Sequence, residues 1–525
     1  MTTGAAPSGN TSACLVALAD APEDDWLERG RSLVLRGELS DALFIFEAAA
    51  SRFPSSSDVR LGWAGLLWQA GSPTRAEQIL REWLQTKPWD AGASFLLATL
   101  LRDQGRLQAA SQTLLALFEY GHHDVNTVIR AIEMLDDYGR PNEALTICEN
   151  AIRTAMDDPR LHAYAGMLGI QLGQFERTRA HYDRALAQVP DAVDWNIPLG
   201  LAGLQRYTDP RHPDIAFFQE LLRRPGTLDA TRCTVLFALG KVYDDLGDFA
   251  VASTYLRQAN AMAHASSHWS RKAWKRNIEA RLAAPVSSMM LPPAQDWTPV
   301  FVVGVPRSGT TLLAQQLARY PGVKNRGELG WLSFWEQRIS SRPSSRRELE
   351  DAAKAYAQQL RQDDGEAHWY IDKQPLNLLH VDLAMALWPN ARFIHCERDP
   401  RDTALSLWSQ SFHDSAHDYA YDFSNIVTVI RDCRRLAAHW RKRYATAFLS
   451  VSYEKLAASP DETLDTIAHW LGLQGRQPVS VSPATPEGIA TASAWQARQA
   501  VYTSSIGRWR HYAPYLPELA AINVR

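Results

Sequence analysis

Pro299-Val300-Phe301-Val302-Val303-Gly304-Val305-Pro306-Arg307-Ser308-Gly309-Thr310-Thr311-Leu312-Leu313 is the stretch that decides the fold. Residues 300–303 are apolar and mostly β-branched, as in a strand buried on both faces. Gly304 and Gly309 bracket a tight loop. The amphipathic run from Leu312 to Ala318, behind Thr310 and Thr311, reads as a helix. Strand, glycine loop and helix in that order aim backbone N–H groups and a helix N-terminus at one point, which makes an anion site.

The spacing of Gly304 and Gly309 fits the start of G-x-x-x-x-G-K-[ST], but Thr310 stands where a nucleoside-triphosphate loop places its lysine. That lysine reaches the β/γ phosphates, so its absence argues against an ATPase or a nucleotide kinase. Arg307, inside the loop, is the cation closest by.

Downstream, apolar runs at 299–304, 367–371, 391–396 and 447–452 alternate with helical patterns at 310–319, 328–340, 346–362, 376–387, 400–411, 424–443 and 461–471. This predicts an α/β domain over 299–525 with a largely parallel sheet and ligands at the carboxyl ends of its strands. The run Ala391-Arg392-Phe393-Ile394-His395-Cys396 ends in Glu397-Arg398-Asp399-Pro400-Arg401-Asp402, and Ser406 follows in the next helix. A guanidinium fork and a hydroxyl converging at a strand end suit a phosphate monoester. Taken alone, the cluster reads better as surface arginines and aspartates pairing with one another.

Upstream the chain repeats. Gly37, Gly71, Gly105, Gly139 and Gly173 are each 34 residues apart, and Ala42, Ala76, Ala110 and Ala144 follow the first four by five positions. Pro54, Pro88 and Pro190 follow the first, second and fifth glycines by 17. The pattern resembles the tetratricopeptide repeat. The glycine ends one helix in a left-handed cap, the small residues let paired helices approach, and the proline ends the second helix. Trp63, Trp68, Trp83 and Trp89 read as packing between helices. The register breaks at 190–226, and one further unit surrounds Gly240, Gly247, Ala252 and Ala259. The domain order is therefore a small polar tail at 1–23 expected to be disordered, a helical solenoid at 24–284, a proline-rich linker at 285–298, and the α/β domain.

Composition narrows the function. The chain has 525 residues, a net charge of −3 and 46% hydrophobic residues, so no broad nucleic-acid-binding face is expected. Its five cysteines are scattered without a C-x-x-C, which fits a reducing, cytoplasmic compartment and supports neither a zinc site nor a disulfide frame. No secretory signal and no apolar run long enough to span a membrane is visible.

Pro306-Arg307-Ser308-Gly309-Thr310-Thr311 together with Arg398 and Ser406 resembles the sulfotransferase family. With the repeats, the details look closest to tyrosylprotein sulfotransferases and their bacterial relatives that carry N-terminal tetratricopeptide repeats. The resemblance implies that Arg307, Ser308, Gly309, Thr310 and Thr311 hold the 5′-phosphosulfate of 3′-phosphoadenosine 5′-phosphosulfate (PAPS), and that Arg398 and Ser406 hold its 3′-phosphate. Lys373, in Tyr370-Ile371-Asp372-Lys373-Gln374-Pro375, resembles the family's lysine on the leaving oxygen; otherwise it reads as a surface partner of Asp372. Glu328, in Gly327-Glu328-Leu329, resembles the residue that takes the acceptor's proton, with His380, His395 and His413 as rivals. Tyr453 resembles a tyrosine beside the nucleotide, and Ser504, Ser505 and Arg508 resemble the closing loop. No metal is implied, and PAP is the expected product. The repeats are expected to present a protein or peptide, with peptide tyrosine among the acceptors. The alternative is an adaptor whose α/β domain binds a nucleotide without catalysis.

Overall fold

The computed structural model describes residues 15–121, 123–154, 156–285, 289–339, 345–412, 414–475 and 503–522. The chain divides into two compact units, Met1–Ala151 with Gln362–Asp364, and Ile152–Arg361 with Gly365–Arg525. Of the segment read as a disordered tail, 1–14 lies outside the described residues, 15–18 form a helical turn, and the first long helix begins at Glu23.

The first unit is a stack of helix pairs: Glu23–Leu35 with Leu39–Arg52, Ser57–Gln69 with Pro73–Thr86, Ala91–Asp103 with Leu107–Leu117, and Val125–Asp137 with Pro141–Arg153. Gly37, Gly71, Gly105 and Gly139 take φ between 70° and 80°, the left-handed reversal that the 34-residue spacing predicts. A Cβ on Gly30 would lie 2.6 Å from the Phe46 ring, so the small residue sets how closely the first pair packs. Trp63 and Trp83 are buried between helices as expected, whereas Trp89 is exposed.

The second unit begins with the fifth repeat, Pro159–Leu172 and Phe175–Gln188. The irregular stretch forms a 3-10 turn, Pro190–Trp195, and helices Ile197–Gly203 and Pro213–Arg223. Its polar centre is Asp214, which accepts from Tyr207 Oη at 2.6 Å and pairs with Arg179 at 2.7 Å. Three helices follow: α1 (Asp229–Asp245), α2 (Phe249–Ala265) and α3 (Arg271–Ala283). Leu236, Leu256, Ala259 and Ile278 from these helices share one apolar core with the α/β domain.

That domain is a five-stranded sheet: β1 (Thr298–Gly304), β2 (Val323–Asn325), β3 (Trp369–Asp372), β4 (Arg392–Glu397) and β5 (Phe448–Ser452). The order is β2-β3-β1-β4-β5 and every pairing is parallel. Central β1 follows the period of two that a pleated strand imposes. Phe301 and Val303 enter the core shared with α1–α3, while Val300 and Val302 face the opposite layer with Leu313, Ile394 and Leu317. The helices that bear on the site are α4 (Thr310–Leu317), α5 (Trp331–Ile339), α6 (Arg346–Arg361), α7 (Pro400–Trp408) and α8 (Phe423–Arg443). The expected helix at 376–387 is split into a 3-10 turn, Pro375–His380, and a short helix, Val381–Leu387. The described part of the proline-rich linker, 289–298, is tied to the domain by Leu291 N–H to Ala386 O at 2.9 Å and Ala294 N–H to Asn390 Oδ1 at 3.0 Å.

Candidate active site at the carboxyl ends of the central strands

The loop between β1 and α4 is tight because its backbone is left-handed at two points. Arg307 has φ +72° and Gly309 has φ +99°. A non-glycine residue in that region costs on the order of 1 kcal/mol, which surrounding contacts must offset. The Arg307 carbonyl accepts from Arg398 Nη1 at 2.9 Å, and Arg307 Nε donates to Ser406 Oγ at 3.1 Å. Gly309 has no room for a side chain, since a Cβ there would lie 2.4 Å from Tyr453 Cδ2. Gly304 is crowded likewise, 2.8 Å from the Cys396 carbonyl.

Arg398 stands where β4 ends. Its Nη2 donates to the Ser505 carbonyl at 2.8 Å, and its guanidinium lies 4.6 Å from the centroid of the Tyr453 ring. Tyr453 Oη and Ser505 Oγ are 2.5 Å apart. The glycine loop, the β4 end, the β5 end and residue 505 thus meet at one place. Within it, Ser308 Oγ and Arg398 Nε are buried polar atoms without a hydrogen-bond partner among the described residues. A buried donor left unsatisfied costs about 1–3 kcal/mol, and a bound anion removes that cost. A nucleotide carrying two phosphate groups fits this donor set.

Beside the loop, β3 delivers Asp372 and Lys373 to opposite sides, as neighbours on an extended chain must be. Lys373 is nearly fully buried and donates to Glu328 Oε1, whose side chain is 39% exposed. Asp372 turns inward and accepts from Tyr356 Oη, from Asn377 Nδ2 at 3.0 Å, and from the Leu329 and Gln374 amides at 3.3 and 3.0 Å. Burial pushes its carboxyl up to about 7, against the pull of those donors. The Lys373 amide donates to the Gly327 carbonyl at 2.7 Å, which fixes the Glu328 loop against the β3 end.

Of the other candidates, Thr310 is buried at the start of α4 and Thr311 is half-buried beside it. Ser505 enters the site and Ser504 is exposed. Arg508 is turned elsewhere: its Nη2 lies 2.6 Å from Asp244 on α1. His380 is buried against Glu336 at 2.8 Å, His395 sits inside β4 with Nδ1 3.3 Å from Ser450 Oγ, and His413 lies outside the described residues. Two supporting residues were not singled out from sequence. Asp402 accepts from the Gly507 and Trp509 amides at 2.6 and 2.9 Å, and so carries the 503–509 segment to the site. Glu454 accepts from the Asp399 amide at 2.8 Å. Asp402 lay in the charged run after β4, but nothing local marks its partners. Among the described residues no group of three or more His, Cys, Asp or Glu side chains is placed to hold a metal ion, and no helix is long and apolar enough to cross a membrane.

Residues 299–477 match the model of the sulfotransferase family, and residues 33–88, 67–132 and 234–263 match models of the tetratricopeptide repeat. The chain thus joins tetratricopeptide repeats to a domain of the sulfotransferase family. An uncharacterized protein of Aquifex aeolicus (strain VF5) is 25% identical over 95% of this chain and 69% of its own length. A putative protein-tyrosine sulfotransferase of Caenorhabditis briggsae is 27% identical over 34% of this chain, an alignment that spans 66% of that protein. The sulfotransferase domain of the Synechococcus PCC 7002 olefin synthase is 22% identical over 43% of this chain and 90% of that domain, with a TM-score of 0.32.

Proposed function

We propose that this protein is a PAPS-dependent sulfotransferase acting on an acceptor hydroxyl. The observation that carries the reading is the pair of unpartnered buried donors, Ser308 Oγ in the glycine loop and Arg398 Nε at the end of β4. Arg307, Ser308, Gly309, Thr310 and Thr311 hold the 5′ end of the nucleotide through loop N–H groups, hydroxyls and the α4 N-terminus. Arg398 and Ser406 hold the 3′-phosphate, with Tyr453 and Ser505 as the wall beside it. When bound, PAPS supplies the sulfuryl group and departs as PAP.

The chain's own part is alignment and charge stabilisation. Lys373, pinned by its amide to Gly327, presents a buried ammonium where negative charge grows on the leaving side. Glu328, ion-paired to Lys373 and partly open to solvent, takes the proton from the acceptor hydroxyl. The partly exposed carboxylate faces the side from which an acceptor arrives. Peptide tyrosine is the acceptor proposed, in keeping with the named activity of the protein-tyrosine sulfotransferase relatives. The repeats of the first unit serve to bind the protein or peptide that carries it. A cytoplasmic, reducing setting fits the free thiols Cys148, Cys233, Cys396 and Cys433.

The test is transfer of label from 35S-PAPS to a panel of tyrosine peptides. Labelled peptide with wild type and none with Arg398→Ala supports the reading. Tight PAP binding with no label transferred to any peptide, and none released as sulfate, would instead leave an adaptor with a nucleotide-binding domain.

A further inference from the structure

The Glu328–Lys373 pair is held by two short loops, and both continue into elements that meet at one buried charge cluster. Glu328 leads into α5, which carries Glu336; Lys373 leads into the 3-10 turn Pro375–His380. Arg281, near the end of α3, joins the two. Its Nη1 and Nη2 lie 2.7 and 2.5 Å from the two Glu336 carboxylate oxygens, and Nη1 also donates to the Leu379 carbonyl. His380 Nδ1 lies 2.8 Å from Glu336 Oε2. All three side chains are largely buried, with exposures of 14% for Arg281, 17% for Glu336 and 8% for His380.

α3 is itself anchored, so Arg281 has a fixed base. Trp274 Nε1 donates to Asp432 at 3.2 Å, Arg271 Nε to Asn425 at 2.9 Å, and Arg435 to Glu279 at 2.8 Å, all onto α8. α3 precedes residue 299, where the sulfotransferase-family match begins. Burial raises the Glu336 carboxyl, but His380 and Arg281 together hold it down to about 2, so it stays ionised and bound in the cluster. A buried bidentate ion pair contributes little net stability compared with apolar side chains of similar volume, whereas it fixes geometry closely.

We propose that Arg281 is a positioning residue for sulfuryl transfer: by clamping α5 to the 375–380 turn it sets the distance between Glu328 and Lys373. The inference rests on the reading of those two residues given above. A shift of about 1 Å in reacting groups is enough to cost about 100-fold in rate. Arg398 is held by the Arg307 and Ser505 carbonyls and not by the cluster, so nucleotide binding is expected to be independent of the clamp.

The experiment uses the full-length chain with Arg281→Ala, Arg281→Lys, Glu336→Gln and Lys373→Ala. PAP affinity is measured by calorimetry, cleavage of 35S-PAPS to PAP and sulfate by single turnover, and backbone hydrogen exchange by segment. Arg281→Ala is expected to slow cleavage at least tenfold, with PAP affinity within twofold. Amide exchange at 327–329 and 372–374 is expected to rise while 305–311 is unchanged. Arg281→Lys keeps the charge but not the two-pronged contact, and should recover only part of the rate. If Arg281→Ala does not fold, Glu336→Gln, which keeps the volume, is judged by the same criteria. Wild-type cleavage in the clamp variants alongside a large loss in Lys373→Ala overturns the clamp alone. Wild-type cleavage in Lys373→Ala, or no cleavage by the wild-type chain, overturns the reading of the pair and the clamp with it. Loss of PAP affinity in step with the rate also overturns the proposal, because the nucleotide site would then have moved.

Discussion

Arg307 Nε donates to Ser406 Oγ across 3.1 Å, so two motifs 99 residues apart in the chain share one site. Arg307 is held in a left-handed backbone at φ +72°, and its carbonyl accepts from Arg398, the residue that opens the second motif. Each motif therefore shapes the other. Ser406→Ala removes the hydroxyl that accepts from Arg307 Nε, which is also the hydroxyl proposed to bind the 3′-phosphate. Loss of one hydrogen bond to a charged group is worth about 1.5–3 kcal/mol, so PAP affinity is expected to fall by about 10- to 150-fold. Calorimetry checks this, and a change below twofold contradicts it.

Gly309 is fixed by two constraints at once, φ +99° and a Cβ position 2.4 Å from the Tyr453 ring. Gly309→Ala must strain the loop and push Tyr453 away from Arg398. The expected cost is about 1–3 kcal/mol in nucleotide affinity. The same calorimetric titration reads it, and an alanine variant that binds PAP like wild type would show that the loop opens without penalty.

Much of this arrangement was legible in the sequence, for physical reasons that also mark where legibility stops. β1 is an apolar β-branched run and the loop behind it is punctuated by glycines, so strand, turn and helix are all local signals. The repeats announce themselves because each left-handed reversal needs a glycine at the same place. β2 has three half-buried residues at a sheet edge and carries no periodicity to read. Arg508 meets Asp244 and Asp402 meets Gly507 across more than 100 residues, contacts that only the folded chain supplies. Lys373 was open to pairing with Asp372, its neighbour. Extended backbone sends adjacent side chains to opposite sides, so Asp372 goes to Tyr356 and Lys373 to Glu328.

Lys373→Ala separates chemistry from binding. The lysine contacts Glu328 and is not among the groups assigned to the 3′-phosphate. Removing one preorganised charge donor costs about 100- to 1000-fold in turnover in comparable sites. The expected outcome is that loss with PAP affinity nearly intact. A large loss of PAP binding with normal turnover would contradict the role given to Lys373.

Asp372 makes a prediction about pH. Burial raises its carboxyl from the ordinary 3.8 to about 7, so between those values the folded chain holds a proton that the unfolded chain has released. Stability from this group is therefore present at low pH and declines as pH rises through that window, by roughly 4 kcal/mol in all. Asp372→Asn does not titrate. The stability of wild type relative to Asp372→Asn, followed by denaturant unfolding from pH 4.5 to pH 8, should fall up to about pH 7 and level off above it; a flat difference would show that the carboxyl is ionised throughout.

On the proposed function, the site takes a 3′-phosphorylated adenine nucleotide in place of a triphosphate. Arg398 links the glycine loop to Ser505 and stacks on Tyr453, whereas Thr310 stands where a triphosphate-binding lysine belongs. The most direct measurement is calorimetric titration of wild type and Arg398→Ala with PAP and with Mg-ATP. Tight PAP binding, weak ATP binding and loss of PAP binding in the variant are the predicted results. Tight ATP binding, or PAP binding that survives Arg398→Ala unchanged, would contradict the account.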